Sequence, residues 1–289
     1  MMHGLMVIVV AVYCCWWRWY WLVSFSSKRS WGDRWQRALC AFLLPPLLLI
    51  MTAIAISLMG PQGQMVGFWE GWCCYSVALA FLGWASVLWL QLVWQGQQTL
   101  QRIRTYPLLT VSAQDASNQP CRLLDSPLLY SAQVGFWRPE LVISQGMLTT
   151  LNPTQLAAVI THEQAHAYYQ DTFWFFWLGW LRRLTCWLPY TNLLWQELLT
   201  LRELRADGWA AQRVDSLLLA EVLLAVVKSP WQESYEGTAS FGECASVDRL
   251  TERMNALLAP STQLPEATLQ PWVWFCWVWW PLLVVPFHV

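Results

Sequence analysis

Residues 152–170 read NPTQLAAVITHEQAHAYYQ, and His162, Glu163 and His166 within them form the pattern His-Glu-x-x-His. The opening Asn-Pro pair predicts the start of a helix, because asparagine caps helices and proline fits their first position. Residues four apart lie on one face of a helix, so both imidazoles can bind one metal ion. Glu163 then points to where a water on that ion needs a base. This spacing is typical of zinc-peptidase sites.

A pair of ordinary core histidines is the alternative, because so short a motif also arises by chance. The sequence has four histidines, however, and the other two, His3 and His288, lie near its ends. The pair follows the apolar run Leu156 to Ile160, where two unliganded imidazoles would each need a hydrogen-bond partner. We therefore expect the pair to bind metal.

A second motif, Glu-Leu-Arg-Ala-Asp at residues 203–207, lies within 193–227, where the apolar spacing predicts one long helix or two stacked ones. Its two carboxylates stand four residues apart and repel each other. No basic residue three or four positions away offsets them. A divalent ion would resolve this conflict, with Glu203 as the third ligand and the fourth position open to water. Asp207 would accept the remaining N–H of a ligand imidazole.

Two interpretations compete with this assignment. An exposed acidic pair is tolerated in water, because the repulsion costs only about a few tenths of a kcal/mol. Asp171 and Glu197 are rival third ligands, although neither is followed by a carboxylate four residues later. We expect His162, His166 and Glu203 to hold the ion.

The composition predicts a membrane protein. Of the 289 residues, 56% are hydrophobic, 12% are charged and 24 are tryptophans, which is far from the average of soluble proteins. Three apolar runs reach the roughly 20 residues that cross a bilayer: Leu5 to Phe25, Ala38 to Met59 and Trp72 to Trp94. The first run lacks a basic start, which favours an anchor over a signal peptide. A shorter run, Trp272 to Val285, is predicted to be a fourth span.

Charged residues beside the spans predict their orientation. The loop after the first span carries four basic residues and one acidic residue, whereas Gly60 to Gln64 carries no charge. By the positive-inside rule the first loop is cytoplasmic, so both termini lie outside and the region after the third span lies in the cytoplasm. Arg18, among aromatic residues of the first span, is expected to reach towards the lipid headgroups.

The region between the third and fourth spans is predicted to mix helices and strands. Asp115 to Pro120 is expected to be a polar turn, and 128–144, with Gly135 and Pro139 among apolar residues, a short hairpin or edge strands. Phe173 to Trp180 is intensely apolar but too short to cross a bilayer. We expect it to dip into the membrane interface or to pack on other helices.

With these residues identified, the sequence resembles the BlaR/MecR-type membrane metallopeptidases and, more distantly, the HtpX and CAAX-prenyl-protease group. The resemblance covers the arrangement of spans and most of residues 125–260. It rests on the two motifs, on Asp171 five residues past the second histidine, and more loosely on Arg-Pro-Glu-Leu-Val-Ile-Ser at 138–144. The two motifs are specific in combination, whereas the stretch 138–144 alone is a weak signal.

The resemblance implies that Glu203 is the third zinc ligand, that Asp207 supports the ligands from behind, and that the catalytic region is cytoplasmic. We expect Asp171 to support a ligand in the same way. BlaR-type receptors also carry a large penicillin-binding sensor after the fourth span, which this sequence lacks. Antibiotic sensing by this chain alone is therefore not expected.

The expected fold is a mainly α membrane protein with about four transmembrane helices. A cytoplasmic zincin-like α+β metallopeptidase domain, with a small β-hairpin or edge sheet, completes it. The domains are expected at 1–95 for three spans, 96–270 for the catalytic region and 271–289 for the last span.

The expected function is gluzincin-like, zinc-dependent endopeptidase activity at the cytoplasmic face of a bacterial-type plasma membrane, in regulatory proteolysis and signal transduction. The substrate would be a protein or peptide, such as a transcriptional repressor or a membrane protein. Quality control of membrane proteins, as in HtpX, and a non-catalytic zinc-binding scaffold are the alternatives. An intramembrane protease is disfavoured, because the motif helix is too polar for lipid.

Zn2+ is the expected cofactor and the lipid bilayer an expected partner. Nucleic acid is not an expected partner, because no basic cluster occurs beyond the one that flanks the membrane. The sequence leaves the oligomeric state open. It also leaves open the group that stabilises the oxyanion, for which Tyr168, Tyr169 and Arg205 are candidates.

Overall fold

The computed structural model describes residues 2–23, 30–61, 68–113, 116–228, 247–259, 276–283 and 285. The helices, in chain order, are α1 (Met2–Val23), α2 (Trp31–Met59), α3 (Phe68–Arg104), α4 (Gln145–Thr150), α5 (Pro153–Tyr168), α6 (Asp171–Leu184), α7 (Thr191–Ala211), α8 (Ser216–Lys228), α9 (Val247–Leu258) and α10 (Trp280–Leu283), with a 3-10 turn at Cys276–Trp279. The strands are β1 (Leu108–Ala113), β2 (Ala116–Leu124), β3 (Ser131–Val134) and β4 (Glu140–Ser144). The described chain is thus mostly helical with one small sheet, as predicted.

The chain divides into two compact units. The first unit comprises Met1–Val93, Leu178–Leu199 and Pro265–Val289, and the second comprises Trp94–Trp177 and Thr200–Leu264. The predicted domain boundaries near residues 95 and 270 stay a prediction.

Among the described residues, two helices are long and apolar enough to cross a bilayer. They are Trp31–Met59 and Gly71–Arg104, and they contain the second and third predicted spans. Residues 5–23 of the first predicted span lie in α1, which is not one of these two helices. The fourth, Trp272 to Val285, lies partly outside the described residues. By length and composition these two helices are candidate membrane spans, and the number of four spans stays a prediction.

The later part of α6 packs on α3 within the first unit. The indole N–H of Trp180 donates to the carbonyl of Ala85 over 2.9 Å. Leu184 is buried in the same cluster as Ala85 and Leu88. The segment Phe173 to Trp180 was predicted either to dip into the membrane interface or to pack on other helices. Packing on another helix is observed for Trp180, the last residue of this segment.

The side chain of Arg18 is buried, whereas the sequence predicted that it reaches towards the lipid headgroups. Its side chain is 0% exposed. Its guanidinium donates to the carbonyl of Pro189 at 3.2 Å and to the hydroxyl of Thr191. These acceptors lie more than 170 positions away in the sequence, so local context could not reveal that a buried arginine has hydrogen-bond partners here.

The second unit contains a four-stranded sheet in the order β1-β2-β4-β3. β3 and β4 are antiparallel, which confirms the predicted hairpin, and β2 runs parallel to β4. The predicted turn at Asp115 to Pro120 is wrong from residue 116 onwards, because this stretch is the first half of β2. Pairing with β1 overrides its polar composition. Pro120 is tolerated because pairing with β4 begins only at Cys121.

Helix α5 packs on the sheet. Cys121, Leu141 and Ile143 of the strands share one buried cluster with Val159 and Ile160 of α5. The apolar residues that precede the histidine motif are therefore the ones that fix α5 to the sheet. This packing leaves the polar side of α5 for the site.

Both ends of α5 have clear local causes. The Asn152 side chain accepts from the Gln155 N–H at 2.8 Å, and the Gln155 side chain accepts from the Asn152 N–H at 3.1 Å. This capping box confirms the predicted start at Pro153. Gln170 has a φ of 53°, a left-handed conformation that ends the helical run. The chain therefore turns at once, and Asp171 begins α6.

Gly146 offers a test of the packing of α4 against the segment that joins β2 to β3. A Cβ at this position would overlap the backbone carbonyl of Pro127, which cannot swing aside as a side chain could. We expect Gly146→Ala to lower the free energy of unfolding by roughly 1–3 kcal/mol or to prevent folding. Gly179→Ala is the control, because Gly179 lies in a helix with nothing within 4 Å of a Cβ.

The measurement is the thermal unfolding midpoint of the purified full chain in detergent. Gly179→Ala should keep or raise that midpoint, since alanine favours a helix by about 1 kcal/mol over glycine. Equal unfolding midpoints for Gly146→Ala and the parent chain would contradict the close contact between Gly146 and the backbone carbonyl of Pro127.

Candidate metal centre

Helices α5 and α7 bring the three predicted ligands to one point. Ligand atoms of His162, His166 and Glu203 all lie within 4.8 Å of one another. The two imidazole Nε2 atoms are 3.2 Å apart. The Glu203 carboxylate approaches Nε2 of His162 at 3.4 Å and Nε2 of His166 at 3.8 Å, through different oxygens. Tetrahedral zinc ligands at about 2.0–2.1 Å from the ion stand roughly 3.3 Å apart, so these residues fit a zinc ion.

Each of the two imidazoles is held from behind by an aspartate. Nδ1 of His162 lies 2.9 Å from a carboxylate oxygen of Asp207, and Nδ1 of His166 lies 2.7 Å from one of Asp171. Both aspartate side chains are almost fully buried. When each Nδ1 carries the ring proton and donates it to the carboxylate, the lone pair of Nε2 faces the common point. This is the tautomer that metal binding through Nε2 requires.

Each of these aspartates is in turn held by an arginine. Arg253 of α9 donates from Nε and Nη2 to the two oxygens of Asp207, at 2.7 and 2.9 Å. Arg205 pairs with Asp171. Two chains of contacts therefore run from an arginine through an aspartate to a histidine ring. A guanidinium that binds both carboxylate oxygens also fixes the carboxylate plane, which orients the ring beyond it.

The third predicted ligand also has cationic neighbours. Arg202 donates from Nε and Nη2 to one oxygen of Glu203, at 2.9 and 2.6 Å. Nη1 of Arg253 lies 3.5 Å from the other oxygen. Glu203 thus stays ionised without a metal, which is the charge state that a ligand carboxylate needs.

The charges around the site favour a bound cation. Burial by itself would lower the pKa of His162, but hydrogen bonds and negative charge from Asp207 and Glu203 raise it to about 10. Burial would raise the pKa of Glu203, yet the charge of Arg202 and the two imidazoles hold it well below its usual range. Asp207 also has a lowered pKa, because Arg253 and the bond from His162 outweigh burial. The carboxylates beside His162 therefore favour positive charge at its ring, and a metal ion bound there would have to displace the ring's extra proton.

Glu163, the predicted base, is buried beside the ligands. One of its carboxylate oxygens accepts a hydrogen bond of 2.7 Å from the hydroxyl of Ser131. Ser131 is the first residue of β3. The outermost strand of the sheet therefore reaches the predicted base directly.

Neither of the two rival ligands shares the point where the three predicted ligands meet. Glu197 belongs to the first unit, where its carboxylate is 2.8 Å from the guanidinium of Arg34. Asp171 contacts Nδ1 of His166, on the opposite side of the ring from the Nε2 atom that faces the other two ligands. Its position fits the supporting role that the sequence predicted, and that role stays a prediction.

The oxyanion candidates differ in their surroundings. Arg205 is paired with Asp171, and its guanidinium carbon lies 4.1 Å from the ring centre of Tyr169. Tyr168 is largely exposed, and its ring lies 5.9 Å from that of Trp209. Arg205 therefore has a structural partner already, and none of these contacts singles out one of the three candidates.

Sequence reasoning missed Ser131, Arg202 and Arg253. Arg253 and Asp207 stand 46 positions apart, and Ser131 stands 32 positions from its carboxylate partner. No helical or strand period relates residues at such separations. Arg202 directly precedes the third ligand, but adjacent helical residues point about 100° apart, so the pattern carried no signal of their pairing.

Comparison with known proteins supports the same chemistry. Residues 114–202 match the family model described as Peptidase family M48. The matched segment contains the His-Glu-x-x-His motif and ends one residue before Glu203. No curated protein matches the chain. The match supports a metallopeptidase of the M48 type, and such peptidases are metal-dependent, typically with zinc.

Arg253 tests whether the arginine behind Asp207 matters for the metal. We expect Arg253→Ala to weaken zinc binding about 10- to 100-fold, as loss of a group that orients a metal ligand does. Arg253→Lys keeps the positive charge but lacks the planar guanidinium that binds both oxygens of Asp207. Its zinc affinity should therefore fall less than that of Arg253→Ala. Arg213→Ala, at an exposed arginine of the same unit, is the control.

Zinc affinity is measured on the purified full chain by competition with a chromophoric chelator. If Arg253→Ala binds zinc as tightly as Arg213→Ala does, the contact between Arg253 and Asp207 does not support the site.

Proposed function

We propose that the protein is a membrane-anchored zinc endopeptidase that hydrolyses a protein substrate at the cytoplasmic face of a membrane. The convergence of His162, His166 and Glu203, with two Nε2 atoms 3.2 Å apart, carries this proposal. The match to Peptidase family M48 supports the enzyme class. Two helices long and apolar enough to cross a bilayer support the anchor.

The residues of the site take distinct roles in this proposal. The three ligands hold the zinc ion, and Asp171 and Asp207 keep the two rings in the binding tautomer. Zinc, when bound, supplies a Lewis acid and lowers the pKa of water to about 7. Glu163 accepts a proton from the attacking water and passes it to the leaving amine. The water oxygen bonds to the carbonyl carbon, the C–N bond breaks, and a carboxylate and an amine leave.

The substrate is proposed to bind along β3. This strand ends the sheet, so one side of it carries backbone groups that no described strand pairs with. An extended peptide can add to such an edge as a further strand. Because the Ser131 hydroxyl of β3 bonds to Glu163, a peptide along this edge passes close to the proposed base. β4 lies between β2 and β3. Of the residues 128–144 that were predicted to form edge strands, only those of β3 therefore lie at an edge of the sheet.

A regulatory role is proposed, in which the substrate is a cytoplasmic repressor or a membrane protein. Quality control of membrane proteins is the second candidate, because the same anchored site would serve it. A zinc-binding scaffold without activity is less well supported, because Glu163 is a buried carboxylate beside the ligands. A purely structural zinc site has no need of such a group next to an open coordination position.

The orientation of the chain can be tested directly. We propose that both termini lie outside the cell and the second unit in the cytoplasm, because Lys28, Arg29, Arg34 and Arg37 stand between the first two predicted spans. Protease added to intact spheroplasts should then remove epitope tags from either terminus. A tag inserted after residue 114, between β1 and β2, should stay intact until the membrane is lysed. Protection of both terminal tags would reverse the orientation.

Glu163→Gln separates an enzyme from a scaffold. The amide keeps the shape of the side chain but cannot accept the proton. We expect cleavage of fluorescein-labelled casein by the purified full chain to fall about 100- to 10,000-fold, the range for a lost general base. Zinc content should be unchanged. Glu221→Gln makes the same chemical change at an exposed carboxylate of α8 and is the matched control.

Cleavage and zinc content are measured on the same preparations. If Glu163→Gln cleaves casein as fast as the parent chain while zinc is still bound, the proposed mechanism is wrong. Loss of cleavage in Glu221→Gln as well would show that the assay reports folding and not chemistry. Removal of zinc by 1,10-phenanthroline should abolish cleavage in the parent chain, and added zinc should restore it.

A further inference from the structure

An aromatic patch on the second unit has no part in the proposed reaction. It combines the tip of the β3–β4 hairpin with the first turns of α6, and its members are Phe136, Trp137, Phe173, Trp174, Phe176 and Trp177. The ring centre of Phe136 lies 4.9 Å from that of Phe173 and 4.8 Å from that of Phe176. Trp137 stacks on the same group, 5.2 Å from Phe173. The rings therefore form one continuous cluster.

The outer rings of the aromatic patch are strongly exposed. Trp137 is 79% exposed and Trp174 is 55% exposed in the described structure. Their inner neighbours Phe136 and Phe173 are half-buried and support them from below. Apolar rings on a supported surface cost free energy in water, and a contiguous exposed group of them marks an interaction surface.

The charge around the aromatic patch favours an anionic or zwitterionic lipid surface. Residues 136–139 and 172–177 include one charged residue, Arg138, which is exposed beside Trp137. The flanking acids are already engaged within the unit: Glu140 pairs with Arg122, and Asp171 pairs with an arginine behind the metal site. Tryptophan with a neighbouring arginine is the combination found where proteins meet the lipid headgroups.

The chain that carries the aromatic patch also contains, among the described residues, two helices that are long and apolar enough to cross a bilayer. A lipid bilayer is therefore a surface that this chain itself is expected to meet.

We propose that the aromatic patch docks into the headgroup region of the lipid bilayer. Indoles and guanidinium groups each combine an apolar body with a polar tip, and such side chains are enriched where proteins meet the lipid headgroups. The hairpin that carries Trp137 also contains β3. One consequence rests on the proposed function: the strand that would bind the substrate lies at the lipid surface, so cleavage favours segments that emerge from a membrane.

Site-specific photo-crosslinking tests this proposal. The full chain is reconstituted in nanodiscs of phosphatidylcholine and phosphatidylglycerol, with Trp137 or Trp174 replaced by p-benzoylphenylalanine, a similarly large aromatic residue. Leu217 is the matched control position, since it is also an apolar residue of the second unit and is 55% exposed. Lipid adducts on tryptic peptides are quantified by mass spectrometry after irradiation.

We expect lipid adducts at positions 137 and 174 to exceed those at 217 about tenfold, because indole positions of this kind sit among headgroups. Equal yields at all three positions would overturn the proposal. Adducts to protein only, at 137 or 174, would overturn it too and assign the patch to a polypeptide partner. Circular dichroism and gel filtration establish that each variant is folded. The assay needs neither zinc nor proteolysis, so its outcome is separate from that of the Glu163→Gln experiment.

Discussion

The concentration of carboxylates around two partly buried imidazoles is the constraint on which the rest of the site depends. Glu163, Asp171, Glu203 and Asp207 all lie in or beside it. Buried carboxylates are tolerated only when they are paired or hydrogen-bonded. An arginine pairs with each of the last three, and a serine hydroxyl donates to the first. These cations hold the carboxylates in place and still leave the Nε2 side of the rings open to a divalent ion.

The scaffold around this cluster supplies rigidity from several separate stretches of chain. α5 is capped at Asn152 and anchored on the sheet by the apolar residues just before its histidines. The left-handed backbone at Gln170 returns the chain so that Asp171 bonds to the ring five residues earlier. α7 brings Glu203 and Asp207 on one face, and α9 closes the far side with Arg253. A metal site built on helices in this way keeps its geometry better than one built on loops.

Two further features of the chain depend on hydrogen bonds between residues distant in sequence. The buried guanidinium of Arg18 donates from Nη1 to the Pro189 carbonyl and the Thr191 hydroxyl, whereas its Nε and Nη2 have no hydrogen-bond partner among the described residues. β2 forms from a polar stretch because two neighbouring strands satisfy its backbone. In both cases residues distant in sequence supplied the hydrogen bonds, so the local pattern predicted a different outcome from the one observed.

The sequence by itself determined the features that depend on neighbours within one or two helical turns. These are the pairing of His162 with His166, the capped start of α5, the hairpin at 128–144 and the apolar helices that can cross a bilayer, since helix and strand periods act over those distances. Only the tertiary structure decided which aspartate holds which ring, and that Arg253 and Ser131 complete the site. The contacts of Ser131 and Arg253 join residues 32 and 46 positions apart. The packing of helices and strands brings these residues together, and no local spacing encodes it.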